Sequence, residues 1–167
     1  IATPASASSA TLMGPLFLLL TGISLLYVAG MILNDVFDYE WDCVNRPERP
    51  LPSGFISHSQ AQWVGYSTLF LGSVVSIFSA GKFFNTSLFI VLSILVIFIL
   101  WYDISHKGNR IAPIIMGVCR ALLPVIGFLV ATLGGATKLP LTLYVYPIVL
   151  GTYTVALTWV AKYELTP

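Results

Sequence analysis

The sequence predicts an all-α, polytopic transmembrane helical bundle. Three observations carry that prediction. Of the 167 residues, 57% are hydrophobic and 9% charged, against about 25% charged in an ordinary soluble domain. The apolar residues gather into five runs, 11–33, 62–80, 86–102, 111–133 and 141–161, and a helix needs about 20 such residues to cross a bilayer. None of the runs alternates polar and apolar residues, as the strands of a membrane barrel do.

The elements follow in order. Residues 1–10, "IATPASASSA", carry no charged segment ahead of the first apolar run, which argues against a signal peptide. They read as the tail of something that started earlier, so residues 1–167 are expected to be one incomplete domain. The first span runs over 11–33 and leads straight into "NDVFDYEWD" at 34–42. Next comes "NRPERPLPSG" (45–54), whose prolines stop a helix and are expected to hold an extended turn. Ser57 with Gln60 reads as a capping box opening the second span. Gly22, Gly30, Gly117 and Gly127 are expected to let helices approach closely. Pro15, Pro113 and Pro147 are expected near helix starts, and Pro124 predicts a mid-span kink. No internal repeat or low-complexity linker divides the chain.

Five crossings place the connections alternately on two sides. Arg46, Arg49, Lys107, Arg110 and Lys162 fall on one side, Lys82 and Lys138 on the other. The positive-inside rule then puts the acidic stretch on the cytoplasmic side. The cations are scattered and form no basic face, so nucleic acid is not an expected partner. Cys43 and Cys119 match no metal spacing and read as small buried hydrophobes.

Five of the seven acidic residues, Asp35, Asp38, Glu40, Asp42 and Glu48, fall within fourteen positions. If the first helix continues past Leu33, then Asn34, Asp38 and Asp42 share one face, Asp35 borders it and Glu40 points elsewhere. Like charges on one face repel, so something positive must sit among them. Carboxylate oxygens suit Mg²⁺, which binds one or two carboxylates together with substrate phosphates. A diphosphate bridged by Mg²⁺ accounts for the cluster. A merely solvated acidic helix end is the alternative. Arg46 and Arg49 project beside the carboxylates, and arginine forks suit phosphate oxygens. An ordinary positive-inside loop is the alternative for these two.

The stretch "NDVFDYEWDCVNRPERPLPSGFIS" resembles the first aspartate-rich motif of the UbiA family of intramembrane prenyltransferases, N-D-x-x-D-x-x-x-D, with Asn34, Asp35, Asp38 and Asp42 in its four positions. The trailing R-P-x-R-P-x-P-S-G is similar to the branches acting on glycerol-phosphate lipids and tetrapyrroles, and to the EboC-like branch. "WYDISHKGN" (101–109) resembles the family's Tyr and Lys in the loop after its fourth helix, with Tyr102 and Lys107 as that pair. "MGVCRALLPVIG" is similar to the family's fifth helix.

The resemblance implies a UbiA-type bundle. The five spans correspond to family helices two to six, and the first helix and the last three lie outside this sequence. It implies transfer of an isoprenyl group from a prenyl diphosphate to a lipophilic acceptor within the lipid bilayer. Asn34, Asp35, Asp38 and Asp42 would hold Mg²⁺. Asp35, Asp38 and Tyr102 would be catalytic, and Asn34, Arg46, Arg49, Lys107 and Arg120 would bind substrate. Near "AKYELTP" only Glu164 stands where commoner branches show a second aspartate motif. Arg120 lies about 13 Å into its span at 1.5 Å per residue, so it should face the bundle interior or a wet cavity. It is either a structural partner for a carboxylate such as Asp103 or a cavity-lining cation near the diphosphate. The rival class is a non-catalytic membrane transport or scaffold protein that retains only the first acidic motif.

Overall fold

A computed structural model describes residues 9–81, 85–133 and 141–164. Among them the regular structure is entirely helical: α1 (Ser9–Phe37), α2 (Tyr39–Asn45), α3 (His58–Phe78), α4 (Thr86–Ser105), α5 (Ala112–Leu133) and α6 (Leu141–Glu164). All but α2 are long and apolar enough to cross a membrane.

Each helix starts and stops for a local reason. The Ser57 hydroxyl accepts from the Gln60 amide N–H, and the Gln60 side chain accepts from the Ser57 N–H, so the expected capping box opens α3. Asn85 caps α4 by accepting from the Leu88 N–H at 2.8 Å. Gly108 turns the chain between α4 and α5 at φ 72°, a conformation that favours glycine.

Burial on α1 falls on Leu19, Leu26, Ala29, Leu33 and Val36, spaced three, four or seven apart along one face. That face packs chiefly on α3, while α5 packs on α6 and α4. The α1–α3 contact is backbone-close, since a side-chain carbon at Gly72 would lie 2.9 Å from both the Gly22 carbonyl oxygen and the Leu26 amide nitrogen. At Gly117 such a carbon would collide with Val155 and lie 2.8 Å from the Gly151 carbonyl oxygen. Small residues take the place of hydrophobic force where lipid is as apolar as the helix. The outward residues, Phe17, Trp63, Phe70 and Ile97 among them, are large, apolar and exposed, as a lipid-facing wall requires.

Several expectations need correction. Gly127 faces open space and brings no helix close. Pro15 and Pro147 lie well inside α1 and α6, because these helices begin ahead of the prolines, whereas Pro113 sits in the first turn of α5. The proline-rich stretch is not extended. Backbone bonds from Arg49 to Arg46, Ser53 to Arg49, Gly54 to Leu51 and Ile56 to Pro50 fold it into successive tight turns. Cys43 is exposed and only Cys119 is buried. Lys82 and Lys138, and the side chains of Lys162 and Glu164, lie outside the described residues.

Candidate active site

The helix does run on past Leu33. The Asp38 N–H donates to the Asn34 carbonyl at 3.0 Å, Asp42 to Asp38 at 2.9 Å and Arg46 to Asp42 at 2.8 Å. These bonds carry the helical register across the joint between α1 and α2. Asn34, Asp38 and Asp42 therefore share the inward face, with Asp38 and Asp42 buried, Asp35 at the border and Glu40 exposed.

The positive charge that such a face demands comes from two loops. From the tight turns after α2, one Arg49 nitrogen reaches Asp42 Oδ2 at 2.8 Å and Asp35 Oδ1 at 3.4 Å. From the turn after α4, Lys107 Nζ lies 2.7 Å from Asp38 Oδ1, and His106 Nε2 lies 3.4 Å from Asp38 Oδ2. Lys107 also stands 4.3 Å from the Trp41 ring centroid, and Arg46 covers that ring at 5.5 Å. Arg46 is thus near the cluster but joined to no carboxylate among the described residues.

The second half of the site is a cavity of about 650 Å³ between α1, α4 and α5. Its walls are largely apolar, with Leu26, Leu95 and Ile99 among them. Its polar lining includes Asn34, Tyr102, Asp103 and Arg120. The cavity joins the acidic face through shared residues. Asn34 belongs to both, and Tyr102 stacks on His106 with ring centroids 5.2 Å apart, which ties the cavity wall to Asp38. Arg120 lies over the Tyr27 ring at 5.4 Å. No ion pair joins Arg120 to Asp103. Arg120 lines this cavity from α5.

Sequence reasoning missed His106 and Trp41, and it took Asp103 only as a partner for Arg120. Asp103 is the one charged residue of α4. The expected span stopped at 102, which left it in a loop, whereas the helix runs on to Ser105 and buries it.

Among the described residues no three His, Cys, Asp or Glu side chains converge on one point; Arg49 pairs with Asp35 and Asp42, and Lys107 with Asp38. The donor chemistry nonetheless fits Mg²⁺. Asp42 Oδ1 is buried without a hydrogen-bond partner, and Mg²⁺ needs only one or two carboxylates when phosphate oxygens complete its shell.

Five helices able to cross a membrane, with a largely apolar cavity between three of them, define a membrane-embedded helical bundle. The chain belongs to the UbiA prenyltransferase family, whose model matches residues 2–164. It is therefore an integral, multi-pass membrane protein. It is similar to a digeranylgeranylglyceryl phosphate synthase of Methanoregula boonei, 39% identical over 72 residues, 43% of this chain and 26% of that protein. A protein of the same name from Sulfurisphaera tokodaii is 33% identical over 109 residues, 64% of this chain and 37% of its own. One from Sulfolobus acidocaldarius is 44% identical over 64 residues, 38% and 23% respectively. The matched stretches thus span well under half of each relative. No solved structure matches the chain.

Proposed function

We propose that the protein catalyses Mg²⁺-dependent transfer of an isoprenyl group from a prenyl diphosphate to a lipophilic acceptor within the membrane. The observation that carries this reading is the continuity of the Asn34–Asp38–Asp42 face with the cavity, in a chain of this family. The relatives' shared name supports an acceptor of the glyceryl phosphate lipid type.

The chain's own residues divide the work. Lys107 and Arg49 bring positive charge to the acidic face and are the natural ligands for diphosphate oxygens. Arg46 and Arg120 add charge at the loop and on the α5 wall. Asp35, Asp38 and Asp42, with Asn34, would hold Mg²⁺, which supplies charge stabilisation to the departing diphosphate. When the allylic C–O bond breaks, the electron pair leaves with the diphosphate and a carbocation remains in the cavity. The apolar walls exclude water that would quench that cation. The Tyr102 ring at the junction of cavity and acidic face offers it an electron-rich surface. The acceptor then bonds to the carbon and loses a proton.

The charge asymmetry of the loops supports a cytoplasmic site. Cys43, exposed one residue past Asp42, would then react with an impermeant maleimide only after permeabilisation. The catalytic reading is tested on the intact protein in nanodiscs with a labelled prenyl diphosphate. Binding and transfer are expected with Mg²⁺ and lost with EDTA. Undiminished binding in EDTA would overturn the metal-dependent reading.

A further inference from the structure

Asp103 is a carboxylate with no evident use in the diphosphate chemistry. It lies in the last turn of α4, 5% exposed, and lines the cavity with Asn34 and Tyr102. The Asn34 amide is in side-chain hydrogen-bond contact with it. Its Oδ2 is buried and has no hydrogen-bond partner. Arg120 lines the same cavity from α5 but does not pair with it. A buried carboxylate oxygen left without a donor is costly, and such groups are characteristically satisfied by something the site is built to receive.

What that something is follows from the parts of the reaction, so the inference rests on the proposed prenyl transfer. The diphosphate is an anion and is repelled by a carboxylate; its cations, Lys107 and Arg49, stand on the acidic face. The prenyl chain is hydrocarbon and donates nothing. A hard cation would need more oxygen ligands than this largely apolar cavity offers, with Leu95, Ile99, Met116 and Cys119 in its lining. The acceptor alone brings a hydrogen-bond donor. We propose that Asp103 seats the prenyl acceptor, its Oδ2 accepting a hydrogen bond from an acceptor hydroxyl at the polar end of the cavity.

A site built to hydrogen-bond a hydroxyl rejects an analogue that lacks it, because the buried carboxylate is then left unpaired. The test uses the intact protein in nanodiscs and two probes, a monoalkylglyceryl phosphate with one free hydroxyl and the O-methyl ether of the same lipid. The wild type is expected to bind the hydroxyl form about tenfold tighter. Asp103→Leu should erase that preference. It removes a buried charge in favour of an apolar group of similar bulk, a change folds often tolerate. Asp103→Asn, whose carbonyl oxygen still accepts, should keep part of the preference. Both variants should still bind prenyl diphosphate, because Lys107 and Arg49 are untouched, and any loss passed on through Asn34 should be the same whichever probe is present. Equal binding of the two probes by the wild type, or a preference that survives in Asp103→Leu, would overturn the assignment. A wild type that binds no prenyl diphosphate would instead count against the prenyl transfer reading itself.

Discussion

Arg49 and Arg46 sit three residues apart in the same turn-rich segment, yet the structure gives them different work. Arg49 neutralises Asp42, whose side chain is 3% exposed, while Arg46 covers only the exposed Trp41 ring. Removing Arg49 strands a buried carboxylate that already has one oxygen without a partner. Arg49→Met should therefore cost about 1–3 kcal/mol, toward the lower end because the arginine is itself partly exposed. Arg46→Met should stay within about 0.5 kcal/mol. Thermal unfolding of the two variants in detergent measures the difference, and equal melting temperatures would refute the ion-pair account. The sequence could indicate that these arginines lie near the aspartates, because both are close in the chain. It could not indicate which arginine bends back, because that depends on tight turns between Arg46 and Ile56 where the prolines led to an expected extended turn.

At the scale of elements, the five spans were legible because membrane helices need long apolar runs and little else. Their ends were less so. α4 outruns its apolar stretch by Tyr102's three followers, and the extra turn is what carries Asp103 into the core. Glycine roles were legible only in part, since a close approach depends on which face meets a neighbour. Gly117 lies against Gly151 and Val155, whereas Gly127 on the same helix faces open space. Gly117→Leu should thus separate α5 from α6 and destabilise by about 1–3 kcal/mol, the usual cost of overpacking. Gly127→Leu should be neutral or slightly stabilising through better helix propensity. Melting temperatures of the two variants in the same detergent check this, and similar losses from both would mean the glycine contact is not what holds the pair.

For the whole molecule, the bundle brings together segments far apart in sequence. α1 and α2 supply the acidic face, the turn after α4 supplies Lys107 and His106, and α5 closes the cavity with Arg120. The acidic face was readable from helical spacing alone. Its continuity with the cavity was not, because it runs through the stacking of Tyr102 on His106 and the burial of Asp103. The central claim is that this face exists to hold a prenyl diphosphate. The most direct measurement is equilibrium binding of prenyl diphosphate, with Mg²⁺ present, to the intact protein carrying either Asp38→Asn or Glu40→Gln. Both changes remove one negative charge and keep the shape, but Asp38 is buried against Lys107 while Glu40 is exposed. The account predicts that Asp38→Asn weakens binding by about tenfold or more, the scale of a charge-assisted contact, and that Glu40→Gln leaves it within about twofold. Equal losses from the two changes would contradict it and reduce the cluster to a solvated helix end.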